Sequence, residues 1–292
     1  MAFNPTIWTA NAQKPFIQGD DDKSIIDSVV REFDPLVQDK GEAVEVPVLD
    51  TLDEQTTGDT TVDELGNESS VNIPIDQESF VAFGVKNIDA IQANVNKIRA
   101  YGEQGGQVIR FGIDKNVAKV MATSAYADSQ HFVFDVAGSG TGLTEINLNM
   151  FIFARQKLNQ AKFSKMRRYI AITAALESQL FKIDQFISWD KVGFNPAASP
   201  ITNGTIGKIL GFNVLQSEAV PLLAADGQAA GTQDKNAFLA YQQRSTAAVM
   251  QLKLVARTAY NVTKRRDEIV IQSNYGRAKL RANGVISIRE NT

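Results

Sequence analysis

Two stretches carry most of the fold information in this chain: VEVPVLD at 44–50 and VNIPIDQESFVAFGV at 71–85. In the first, Val44, Val46 and Val48 take alternate positions and so share one face of a β-strand. The second alternates in the same way, through Ile73 and Ile75. Each run holds a proline, Pro47 and Pro74, which cannot donate to a ladder and therefore marks an edge position. Between the runs lie about twenty residues rich in Thr, Gly, Asp and Glu. The expectation is a projecting hairpin with a long acidic tip. Such a hairpin has too few apolar residues to stand alone, so something else must hold it.

On the N-terminal side, Ile25, Ile26, Val29, Val30 and Phe33 suit one brief helix. On the C-terminal side, Ile91, Val95, Ile98, Val108, Ile109, Ile113, Val117, Val120 and Met121 recur near helical spacing between Asp89 and Ser124. Gly102, Gly105, Gly106 and Gly112 each weaken a helix by roughly 1 kcal/mol relative to alanine, so this helix is expected to be long but bent or interrupted. HFVFDV (131–136) reads as a strand, TEINLNMFIFARQKLNQ (144–160) as a helix, and RRYIAITAAL (167–176) begins as a buried strand. IGKILGFNVLQS (206–217) reads as two strands bent at Gly211, and DEIVIQS and GRAKLRANGVISI supply more strands. Helices and strands alternate without a βαβ rhythm, which makes the class α+β.

With 292 residues, 43% of them apolar and 22% charged, the chain can bury a sizeable core. A net charge of −3 argues against a dedicated nucleic-acid binder. The absence of cysteine removes disulfides, thiolate metal sites and thiol nucleophiles, and fits folding in a reducing compartment. The start, MAFNPTIWTANAQK, lacks the pattern of a signal peptide, and no apolar run has the length of a membrane span. The expected product is a soluble protein made inside the cell.

Charge is unevenly spread. From Gly41 to Val85 there are eleven acids and no Lys or Arg, whereas from Arg244 onward ten bases face only Asp267, Glu268 and Glu290. Either segment can be a plain solvated face. Their opposite signs also allow them to meet. If they do, the acids Asp53, Glu54, Asp59, Asp63 and Glu64 are expected near Arg257, Lys264, Arg265 and Arg266 of an adjacent copy, with Val44, Val46, Val48, Ile73 and Ile75 supplying apolar contact. An extended strand from Glu42 to Asp59 reaches roughly 60 Å, enough to leave its own body.

The chemical motifs are weak. The loop Val136–Gly142 has three glycines at alternate positions, but neither the Lys-Ser/Thr ending of a P-loop nor a suitably spaced ribose-binding acid, and is read as a structural turn. His131 is the sole histidine, so histidine triads and multi-histidine metal sites are excluded. The acidic segment lacks a calcium-loop spacing with its closing Glu. Lys162, Lys165, Arg167 and Arg168 read as a solvated helix end able to touch phosphate. No catalytic residue, cofactor or metal site is expected.

Taken in order, the segments resemble a known family. FDPLVQDKGEAVEVPVLD with VNIPIDQESFVAFGV resembles the N-terminal arm and extended loop of HK97-type coat proteins of tailed bacteriophages, in the branch allied to the P22 coat protein. IDKNVAKVMA (113–122) is similar to that family's spine helix, and GLTEINLNMFIFARQKLNQ with RRYIAITAAL to its axial-domain helix and central strand. GTIGKILGFNVLQSEAVP (204–221) is the most specific match, and YGRAKLRANGVISI (275–288) resembles the final strands. The resemblance implies an N-terminal arm at 1–40 and an extended loop at 41–87. It places a peripheral domain at 88–140 with 246–276, and an axial domain at 141–245 with 277–292. It further implies a major capsid protein of the virion, assembled in the bacterial cytoplasm as hexamers and pentamers around double-stranded DNA, with no membrane partner. A separate scaffolding protein, a portal protein and in some cases a decoration protein accompany such chains. An encapsulin-type shell, storing cargo in the same fold, is the alternative; a nucleotide-dependent enzyme and a tail-tube or decoration protein are more distant rivals. The extended loop holds no lysine between Lys40 and Lys86, which puts the lysine crosslinking of one branch in doubt.

Overall fold

The computed structural model describes residue 12 and residues 24–37, 42–48, 69–86, 95–134, 148–180, 207–221 and 237–290. In chain order the elements are β1 (Ala43–Val48), β2 (Ser69–Pro74), β3 (Gln77–Lys86), α1 (Val95–Ala127), β4 (His131–Phe134), α2 (Leu148–Gln160), β5 (Arg168–Ile172) and α3 (Ala174–Leu180). They continue as β6 (Lys208–Ile209), β7 (Phe212–Gln216), β8 (Ala237–Gln242), β9 (Thr246–Asn261), β10 (Arg266–Lys279) and β11 (Val285–Glu290). The Gly138–Gly142 loop, Glu145 and the acids Asp53, Glu54, Asp59, Asp63 and Glu64 lie outside the described residues.

β1 and β2 pair antiparallel as anticipated, with Val44 opposite Ile73 and Val46 opposite Val71. The second run does not continue as a single strand. It breaks at Ile75–Asp76, and its remainder, β3, joins a different sheet in the order β3-β10-β9. The pairing ends one residue after Pro74, where the Ile75 amide still donates to Glu42 O at 2.9 Å. Immediately beyond the break the backbone of Pro74 lies against Gly276 of β10, where an added Cβ would sit 2.4 Å from the Pro74 carbonyl oxygen. That close approach needs glycine.

What holds the hairpin root is this chain itself. Val44 is 6% exposed and Ile73 0%, in a cluster with Val30, Val37, Ala247 and Val249. Within the single chain, the side chains of Val44 and Ile73 are thus packed on the chain's own residues. Val46 and Ile75 are only partly buried against the same cluster. Residues 24–37 also differ from the brief helix anticipated. They form two short 3-10 turns, Ile25–Ser28 and Asp34–Val37, with Val30 bridging in parallel to Ala247. The Asp34 carboxylate accepts the Met250 amide at 2.9 Å, which secures the segment on β9.

α1 runs unbroken for 33 residues, so its glycines do not interrupt it. Ile109, Ile113, Val117, Met121 and Ala125, four apart, form one buried ridge. This ridge packs on Leu254, Ala256, Ile269, Ile271 and Tyr275 of the three-stranded sheet. Gly105 is buried there, and a Cβ on it would come within 2.8 Å of Ile271 Cδ1. Its role is close packing of helix on sheet.

The second sheet has six strands in the order β4-β11-β8-β5-β7-β6 and is covered on both faces. Alternate residues separate its two sides. Ala171, Leu215, Leu239, Tyr241 and Val285 face the core built on α1. Ile170, Ile172, Phe212, Val214, Phe238, Ala240, Ile286 and Ile288 face α2, whose Met150, Phe151, Ala154 and Leu158 complete a separate core. Phe151 stacks on Phe238 with ring centroids 5.1 Å apart. β6 and β7 form the pair expected at Gly211: Leu210 (φ 47) and Gly211 (φ 89) make a two-residue turn of the kind that matches strand twist.

Candidate functional site

The surfaces that remain free after folding form the candidate site. The three-stranded sheet carries α1 on one face; on the other, the hairpin root covers the end at Ala247, Val249, Gly276 and Ala278, and exposed side chains lie at the far end. On that side Phe80 is opposite Gln272, which is opposite Val255, and Ala82 is opposite Val270, which is opposite Arg257. Phe80 is 62% exposed, and Tyr260 and Val262 at the end of β9 are also largely exposed.

Of the cations singled out in the sequence, Arg257 lies in β9, Lys264 and Arg265 in the β9–β10 turn, and Arg266 at the start of β10. Arg266 is engaged within its own chain. Its guanidinium donates to Glu268 Oε1 at 2.8 and 3.0 Å while its stem lies over Gly84. The Arg266 hydrogen bonds, with Asn261 assisting, hold the Glu268 carboxyl below its usual range. Arg257, Lys264 and Arg265 are exposed and form no ion pair among the described residues.

A second charged surface was undervalued by the sequence reading. Arg168 is not part of a solvated helix end. It is 2% exposed, donating to the carbonyls of Phe163 (2.9 Å) and Ser164 (2.8 Å) and to Asn159 Oδ1 (2.9 Å). Burial lowers its pKa, with nearby Arg155 contributing. This clamp shapes the turn after α2, from which Lys162, Lys165 and Arg167 project into solvent. Arg167 donates to Gln243 Oε1 at 3.2 Å, which ties that turn to the 3-10 turn Gln243–Ser245. The guanidinium of Arg281 lies 4.6 Å from the centre of the Phe163 ring, and the Leu280 and Arg281 amides donate to Ser245 O.

Within the core, Asp114 of α1 accepts from Ser24 and from the Ile26 amide, and burial raises its pKa. Ser28 and the phenol of Tyr241 share a hydrogen bond, and burial keeps that phenol neutral by pushing its pKa up. His131 lies in β4 with its ring edge-on to Tyr126, centroids 6.0 Å apart. Among the described residues no three His, Cys, Asp or Glu side chains converge in a way that would hold a metal ion. No helix among them is long and apolar enough to cross a membrane.

A family model for phage capsid protein matches residues 41–291. The chain belongs to the phage capsid protein family. It is a major capsid protein, and the family places it in the virion. Its α+β architecture is the HK97-type capsid fold. Among solved structures it is similar to the capsid of the cyanophage P-SCSP1u, at 16% identity and a TM-score of 0.68, covering 93% of this chain and 89% of that one. A chain of Mycobacterium phage Che8 matches at 20% identity and TM-score 0.66, with 91% of each covered. The mature capsid of bacteriophage PhiM1 matches at 11% identity and TM-score 0.60, covering 88% of this capsid chain and 84% of that one. No curated protein sequence matches it.

Proposed function

We propose that this capsid chain assembles by covering the exposed end of its three-stranded sheet with an adjacent copy. Hexamers and pentamers built this way close into an icosahedral head around double-stranded DNA. The observation that carries the reading is Phe80, an aromatic side chain 62% exposed in the middle of a strand, beside Ala82 and Val270. In a closed shell each copy makes the same contact, so a modest interface repeated by symmetry stabilises the whole. The partly buried Val46 and Ile75 extend the apolar contact along the hairpin. We place the peripheral domain at 88–140 with 246–276, a reading supported by the packing of α1 on β9 and β10, and the axial domain at 141–245 with 277–292, supported by the separate core between α2 and the six-stranded sheet. Separate scaffolding and portal proteins complete the head, assembly takes place in the host cytoplasm, and a decoration protein is an optional addition.

Negative-stain electron microscopy and analytical ultracentrifugation of the purified chain test this reading. Capsomers or shells are expected, and Phe80→Ser should shift them toward monomer. A monodisperse monomer at every concentration, with or without a scaffold, would refute it.

A further inference from the structure

An open groove of 440 Å³ lies between the C-terminal half of α1 and the end of β10. Its walls include Lys119 and Thr123 of α1, Gln77 at the start of β3, and Arg277 and Lys279 of β10. Gln77 takes the same side of the sheet as Val81 and Phe83, which pack on the α1 core, so the groove lies on the side opposite Phe80. A copy seated over Phe80 occupies the other side of the sheet. Lys279 is already matched: its ammonium is 2.7 Å from Asp128 Oδ1, while Asp128 Oδ2 accepts the Asn283 amide at 3.1 Å. Lys119 and Arg277 form no ion pair among the described residues, and no acid among them lines the groove. The guanidinium of Arg277 is half-buried, and its Nε is shut off from solvent without an acceptor. A buried donor left in this way is costly and uncommon. Two cationic groups therefore face the groove uncompensated by their own chain.

We propose that this groove binds a phosphate group, either free or in a nucleic-acid backbone. The nucleic-acid source rests on the capsid reading above, whereas the site itself does not. The planar fork of Arg277 suits two phosphate oxygens at once, and the Lys119 ammonium adds a point charge from the opposite wall. Thr123 and Gln77 contribute neutral donors. A phosphate has oxygens in several directions and can use donors from both walls, while the oxygens of a carboxylate lie in one plane. The groove is open at its ends, and Lys115, one helical turn before Lys119 and also exposed, continues the cationic line along α1. Linked phosphates can therefore run on beyond the first. Two or three such contacts accord with a chain whose net charge is −3: local and weak, with no general affinity for nucleic acid.

The test uses the full-length, unassembled chain in three arms. Inorganic phosphate is titrated by calorimetry, a dye-labelled DNA duplex of mixed sequence by fluorescence anisotropy over a salt series, and a polyglutamate peptide by competition with that duplex. Lys119→Gln and Arg277→Gln are each expected to weaken binding by about tenfold or more and to reduce the salt slope for the duplex by about one. Lys208→Gln removes the same charge at the β6 edge of the six-stranded sheet and should leave binding unchanged. Arg277→Lys keeps the charge without the fork and should restore only part of the affinity. Phosphate binding lost in the groove variants without duplex binding identifies the free anion as the source; duplex binding lost in them identifies the backbone. Equal loss in Lys208→Gln, or no loss in either groove variant, overturns the proposal. Displacement of the labelled duplex by polyglutamate as readily as by unlabelled duplex overturns it in favour of an acidic peptide. Lys119 is exposed, so Lys119→Gln decides the matter if Arg277→Gln fails to fold. Shells formed by a chain that binds neither phosphate probe sink the site and leave the capsid reading intact. Phosphate binding in the groove by a chain that never assembles does the reverse.

Discussion

The hydroxyl of Ser24 donates to the Asp114 carboxylate, 2.7 Å from Oδ1 and 2.6 Å from Oδ2, across 90 residues of chain. The Ile26 amide donates to the same carboxylate at 2.9 Å. Through these contacts the long helix fixes the path of the N-terminal segment, and Ile25, Ile26 and Val29 reach the main core. Asp114→Ala leaves a buried hydroxyl and a buried amide without their acceptor. Each such loss costs about 1–3 kcal/mol, so urea unfolding of the unassembled chain should show a clear drop in stability, and protease should cut within residues 24–37 more readily.

The same carboxyl confers a pH dependence of definite sign. Burial raises its pKa above the ordinary carboxylate range, so the folded chain binds that proton more tightly than the unfolded chain. The contribution is therefore fully present below the unfolded value and is lost as pH rises through the raised folded value. Unfolding followed by urea at a series of pH values should show this downward slope. Asp114→Asn keeps an acceptor for Ser24 and Ile26 and should flatten it.

Ile73 separates a hairpin held by its own chain from one held only by a neighbour. Its side chain is fully buried in the isolated chain. Ile73→Ala should lower the stability of the unassembled protein by about 2–5 kcal/mol, the usual range for a large core truncation. No change before assembly would show that the root of the hairpin is not anchored on Val30, Val37, Ala247 and Val249 of its own chain.

Gly276 and Gly105 should respond differently to alanine. At Gly276 the obstacle is the Pro74 backbone, which has no side-chain rotamer through which to yield. Strain from overpacking of about 1–3 kcal/mol is expected there. At Gly105 the obstacle is the tip of Ile271, which can turn, and the gain in helix propensity of roughly 1 kcal/mol offsets the shift. Thermal melts of the two variants should differ accordingly.

The chain contains no cysteine, and the extended loop has no lysine between Lys40 and Lys86. Particles boiled in SDS should therefore run as one band near the chain mass of 31.9 kDa. A ladder of multimers in untreated particles would reveal a covalent bond by another route.

Locally encoded features were legible without a structure. The β6–β7 turn at Leu210–Gly211 follows from two adjacent residues, because glycine removes the steric penalty where the turn needs a positive φ. The strand at 168–172 and the helix ending at Gln160 announce themselves through hydrophobic period alone. The alternation at 44–48 likewise determined that β1 would be a strand with a valine face, and the one-sided distribution of acid and base is a property of the sequence itself.

Other features belong to the tertiary structure. Alternation continues past Pro74 without sign that the strand changes partner, since period reports which face a residue takes and not which strand lies beside it. Gly105 looks like a weakness because propensity counts only local costs, whereas its value is the approach of a second element. Arg168 looks like one more surface cation until carbonyls from the preceding turn surround it. Arg167, Gln243, Ser245 and Arg281 meet at one end of the six-stranded sheet, and no local signal connects them. Composition determined how much charge the chain carries, but only folding decided which charges share a surface, because electrostatic interaction falls with distance in space rather than separation along the chain.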